Sequence, residues 1–272
     1  MRQRTRRQSP GLRRIRLAVL AVALILARAA TAAQPTARAE VEAVLKATRP
    51  GQPAQLAGRS LESADLHGLD LAGANLAHAD LFAANLSDAD LTGADLAGAR
   101  LDLAWLMRTN LTRANLAGAL LHGPVVAPGL EDVAKDAPIL VGANLSGAKV
   151  IARLNGRAEG ADFSHADLGA DIRNQSMGML RTDFNGADLR HANFTGANLA
   201  YAVMRFADLS GADLRGARLI YADLSGADLT HADLTDAILD HARMHGTILK
   251  DTALVGARGL ATVAGRRPPA AR

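Results

Sequence analysis

The chain has 272 residues, of which 49% are hydrophobic but only 3% aromatic, and it contains no cysteine. That composition excludes a disulfide-stapled fold, a cysteine nucleophile, a thiolate metal site and a lipid-modified cysteine anchor. The formal charge of +4 conceals an asymmetry: residues 1–33 carry eight arginines and no acid, leaving 23 basic against 27 acidic residues, a net of −4, in the remainder.

The arginine-rich opening is followed by the apolar run 17–27 and then by Ala30-Thr31-Ala32, a small-residue cleavage pattern. This order predicts a secretory signal peptide over residues 1–33, cut near Ala32 or Ala33. The apolar run is short for a transmembrane span, so no membrane insertion is expected beyond this segment, an uncleaved anchor being the alternative. Arg6-Arg7 suggests twin-arginine export, but Gln8-Ser9-Pro10 follows where that signal carries hydrophobic residues.

Residues 34–53 read as a short helix and linker. Thr36 is placed to cap the helix, Val41, Val44, Leu45 and Thr48 form a stripe at helical spacing, and Pro50-Gly51 ends it. Such a stripe suits a lid over the open first coil of a repeat structure. A membrane-binding helix is the other reading, though two turns of apolar face are thin for it.

From Leu56 a large apolar residue recurs at every fifth position to Val126, and again from Phe184 to Leu254. Between them lie pairs at Leu145 and Val150 and at Phe163 and Leu168. The period matches neither a helix nor an alternating strand. The large residue and the alanine two before it can face inward; the Asp or Asn between them and the two following residues must face out. Stretches such as Ala207-Asp208-Leu209-Ser210-Gly211 and Ala212-Asp213-Leu214-Arg215-Gly216 carry the beat most clearly. A chain that turns every five residues must wind, pairing its backbone with the coils above and below.

The chain here resembles the pentapeptide-repeat family, A-(D/N)-L-x-x, over roughly residues 54–256. The resemblance implies an all-β fold, a right-handed quadrilateral parallel β-helix with four units per coil. Residues twenty apart would then stack at about 4.8 Å, and some thirty-four units would make a rod roughly 40 Å long. The domain reading is a first repeat run at 54–128, an interrupted middle at 129–183, a second run at 184–258 and a disordered basic tail at 259–272. No amphipathic helix is evident at the C-terminal end, unlike family members that dimerise through one, and the oligomeric state stays open.

The beat fails at 124–141, 151–160 and 169–182, where loops are expected. Arg173, Asn174, Gln175 and Arg181 form the richest hydrogen-bonding cluster in the sequence, either a binding site or a bulge absorbing a register change. Tyr201, Tyr221 and His241 are spaced by twenty and predict a stacked column beside Arg205 and Arg218. It reads either as a strut between coils or as a platform for sugar or peptide. Asp188, Asp208 and Asp228 are spaced likewise, which suits a cation or simply turn-capping carboxylates; no metal site is assigned. Arg108 and Asp88 should pair on neighbouring coils. Trp105 takes an outward Asp or Asn position in the first run; in the second, Val203, Ile238 and Ile248 replace outward Asp or Asn and Ile220 also faces out, predicting a surface that grows less polar toward the end of that run.

No catalytic residues and no cofactor are expected, because no nucleophile–base or metal-ligand spacing appears beyond what the repeat generates. A β-helical polysaccharide-active enzyme would need a groove that small outward residues do not build. The family resemblance also implies a cytoplasmic DNA mimic that binds DNA gyrase. Duplex DNA carries roughly 24 charges over 40 Å, whereas residues 54–258 hold 25 acids and 17 bases, a net of −8. That is about a third of the DNA charge, so a DNA mimic that binds a topoisomerase is the alternative reading, and no nucleic-acid partner is expected. The favoured expectation is an exported, non-catalytic scaffold of the bacterial envelope that binds an unknown protein or glycan.

Overall fold

Each five-residue unit forms one side of a coil. The large residue points inward and accepts, at its carbonyl, the amide of the residue three on, as when Ala64 N donates to Leu61 O at 3.1 Å. The residue before that amide sits at positive φ, as Ser63 does at 56°, the signature of a tight turn that reverses the chain at each corner. The computed structural model describes residues 35–124, 134–170 and 180–262. Within them, parallel pairing runs from Gln55 to Arg258, with partners mostly twenty residues apart. Four units therefore make one coil.

The coils are zipped in both directions. Leu56 N donates upward to Asn75 O, and Asn75 N donates downward to Ala54 O, both at 2.8 Å. The outward Asp or Asn then closes the unit on itself: the Asn75 side chain accepts the Ala77 amide at 3.2 Å, and the Asp90 side chain accepts that of Thr92 at 2.9 Å. The repeat's preference for a short side-chain acceptor at this position follows from that bond. Asn above Asp in a column can donate its amide to the carboxylate below, as Asn115 does to Asp95 at 2.9 Å and Asn198 to Asp167 at 2.7 Å, whereas Asn110 donates to the Thr92 hydroxyl at 2.8 Å.

Leucine and alanine fill the lumen, and Leu199, Leu219, Ala197 and Ala217 are fully buried. Three phenylalanines gather in its middle: Phe163 stacks on Phe194 at 4.9 Å, and Phe184 meets both edge-on. Buried Thr109 and Thr182 replace inner alanines and donate their hydroxyls to Leu86 O and Val150 O, each at 2.8 Å. At the lower end, helix α1 (Pro35–Ala47) buries Val41 and packs Val44 and Leu45 on the core. Arg38 donates from this helix to the carbonyls of Asp65 and His67, both at 3.1 Å.

The four faces are numbered by the inward residues Leu56, Leu61, Leu66 and Leu71. The faces stay in line through the middle of the chain: Asn115 pairs with Asn144, Asn144 with Asp162, and Asp162 with Asn193. Strand β1 (Leu120–His122) lies parallel to β2 (Lys149–Ile151), both on the second face. Residues 151–160 do not interrupt the coil. Buried Leu154 and Ala158 take inward positions at steps of four, and Leu154 N donates to Asp183 O at 2.7 Å. Val203 corrects a second expectation. It is only 8% exposed, although it takes an outward position on the third face between Asp183 and Asp223.

Candidate functional site

A side chain at a corner leans over the same corner of the next coil. Phe206 lies across Gly226 and His165 across Gly196 in this way. At one corner, large side chains follow one another on three successive coils as flat, stacked rings. Tyr201, Tyr221 and His241 stand at φ 64°, 57° and 58° on the corner between the second and third faces. The tyrosine rings stack at 5.0 Å and 14°, and the imidazole follows at 4.8 Å and 12°. The spacing of twenty is thus realised as a continuous three-ring ladder.

Arg181 occupies the same corner one coil below Tyr201, since Asp183 pairs with Val203. A shallow cleft of about 210 Å³ runs along the ladder, lined by Arg181, Tyr201, Tyr221, Asp223, His241 and Arg243. The structure therefore joins Arg181 to the aromatic column, whereas the sequence grouped it with Arg173, Asn174 and Gln175, which lie outside the described residues. The arginines of the cleft are Arg181 and Arg243, not Arg205 and Arg218; Arg205 instead sits 5.5 Å from the ring of Phe206. Asp223 and Arg243 were missed, although each lies two residues beyond a ring already singled out.

The stacking direction determines what the ladder can offer. Both faces of Tyr221 are covered by its neighbours, so edges and polar tips face the cleft while Tyr221 stays 47% exposed. A sugar packed flat on a ring needs a free face; a peptide needs donors and acceptors at regular intervals. The ladder supplies the latter.

The other candidate column is already satisfied. Arg190 grips Asp188 at 2.8 Å and approaches Asp208 at 3.9 Å. Its hydrogen bond holds the Asp188 carboxyl below the usual carboxylate range. Arg215 does the same for Asp213. Among the described residues, no group of three or more His, Asp or Glu is arranged to hold a metal ion, and no helix is long and apolar enough to cross a membrane.

A solenoid of five-residue units, pinned by side-chain acceptors and filled by leucine and alanine, defines a repeat scaffold. The profile for pentapeptide repeats matches residues 54–88, 84–123, 180–216 and 212–251, in eight copies. The chain belongs to the pentapeptide-repeat family.

No curated protein matches it. Among solved structures it is similar to HetL, a pentapeptide repeat protein involved in heterocyst differentiation regulation in the cyanobacterium Nostoc sp. strain PCC 7120. That likeness has 26% identity, covers 85% of this chain and 98% of that one, and has a TM-score of 0.35. A pentapeptide repeat protein of the Arabidopsis thaliana thylakoid lumen is 42% identical over 36% of this chain and 61% of its own, with a TM-score of 0.32. Full-length QnrB1, a plasmid-mediated fluoroquinolone resistance protein, is 19% identical over 75% of this chain and 90% of its own, with a TM-score of 0.30. The family assignment rests on the repeats themselves.

Proposed function

We propose that this protein is an exported, non-catalytic scaffold of the bacterial envelope that binds another protein along the ring ladder. The ladder is the observation that carries this reading. Three flat side chains are held at corners that disfavour them, with their polar edges turned to one cleft. The groups face open water rather than an enclosed pocket, which suits recognition better than catalysis. Export is inferred from the arginine-rich leader and its small-residue cleavage pattern. In the same reading the solenoid winds right-handed with four flat sides, and α1 is its lid, supported by the bonds from Arg38 to first-coil carbonyls.

Cell fractionation with N-terminal sequencing tests export: a mature chain beginning after Ala32 or Ala33 is expected, and an uncut cytoplasmic chain overturns it. Crosslinking in the envelope through a photoreactive residue at Ile220, beside the ladder, should capture a protein. A glycan array that lights up without any crosslinked protein overturns the choice of partner.

A further inference from the structure

From residue 180 to 258 the rod is electrically two-sided. The second and third faces, with the corners that follow them, carry Arg181, Arg205, Arg218, Arg243 and Arg258 against three aspartates, a net of +2. The other two faces carry seven aspartates against three cations, a net of −4. The arginines of the acidic side, Arg190 and Arg215, are each committed to a carboxylate at short range. On the ladder side Arg181 forms no ion pair with another described residue. Arg243 has only a 4.0 Å approach to Asp223 and is 72% exposed.

We propose that the cleft takes an acidic peptide segment, extended along the rod axis, with carboxylates four residues apart reaching Arg181 and Arg243. This rests on the reading of the ladder as a protein-binding site and specifies its partner. Three coil steps separate the Arg181 corner from that of His241, about 14 Å. An extended peptide advances about 13 Å over four residues and returns side chains i and i+4 to the same side. Between those anchors the tyrosine tips recur once per coil and meet the peptide backbone. Guanidinium groups suit carboxylates by forming two parallel bonds. Asp223 stands in the cleft as the opposing charge; it accepts the Ser225 amide at 3.1 Å and faces Arg243, so it discourages acids at the middle of the peptide rather than at its ends.

The test uses the mature full chain and labelled nine-residue Ser/Thr peptides carrying Glu at positions 3 and 7, read by fluorescence anisotropy. Binding is expected to weaken at least tenfold when both Glu become Gln, and likewise in Arg181→Gln/Arg243→Gln. Arg190→Gln/Arg215→Gln, on the acidic side, should bind as wild type, and circular dichroism should show every variant folded. Equal binding of the Glu and Gln peptides, absent binding of both, or unchanged binding in the ladder-side double variant overturns the acidic-peptide assignment. If an envelope protein still crosslinks at the ladder, the scaffold reading survives that loss. If nothing crosslinks, both fall.

Discussion

The imidazole of His191 lies across Gly211, one coil further on, so that a Cβ added at Gly211 would meet its Nδ1 at 2.5 Å. Gly216 has a similar φ, +64° against +68°, but open space around it. Alanine at Gly216 should cost only the positive-φ penalty of about 1–2 kcal/mol. Alanine at Gly211 should cost clearly more, because it meets the ring as well. Paired urea melts of the two variants check this, and equal losses would mean that His191 does not rest on the next corner.

The inner alanines are as tightly specified as the leucines. Ala212 is 1% exposed within the lumen, and leucine there should destabilise by about 1–3 kcal/mol through overpacking. Phe163 touches both other phenylalanines, so Phe163→Ala should cost about 3–5 kcal/mol. Thermal denaturation of both variants is the measurement.

The Thr182 hydroxyl lies in the lumen and donates to Val150 O. Valine has the same shape without the donor, so Thr182→Val should cost about 1–3 kcal/mol by leaving a buried carbonyl unmatched. Thr→Val at half-buried Thr235, which faces out of the lumen, serves as the comparison.

Arg108 donates to both oxygens of Asp88 at 2.6 Å and to buried Asp136 at 3.0 Å, where the chain re-enters the coil. The Arg108 hydrogen bond holds the Asp88 carboxyl below its ordinary value of 3.8, outweighing partial desolvation. The folded state thus favours the ionised carboxylate. Its contribution is present above the ordinary value and is lost as pH falls through the lower folded one. Arg108→Ala should flatten the fall in stability below about pH 4. It should also expose the bond after Lys135 to trypsin, which limited proteolysis will report.

Tyr221 gains from stacking on two rings, about 0.5–1.5 kcal/mol for each pair, and loses about 1–2 kcal/mol by standing at positive φ. The terms nearly cancel, so Tyr221→Gly should change stability by less than about 1 kcal/mol while weakening peptide binding. A loss above about 3 kcal/mol would make the ladder a structural strut.

The lumen was legible in the sequence because every unit repeats one steric demand, and the twenty-residue stacking of Tyr201, Tyr221 and His241 followed from counting. Arg181 was read with Arg173 to Gln175 because neighbours in the chain are visible in a sequence and neighbours up a column are not until the register through the middle is known. That register was hidden by Leu154 and Ala158: they shorten the step from five to four, and one of them has a small side chain where leucine is usual. Val203 misled because an outward position was equated with an exposed one.

Both breaks in the beat follow a residue of the second face, Leu121 or Leu168, and the columns resume in line beyond them. The tube thus behaves like a rail with slots cut along one edge. Because the columns are in register on either side, foreign sequence grafted between Pro124 and Ala134 should leave the pairing of Asn110 with Ile139 and of Asn115 with Asn144 unchanged.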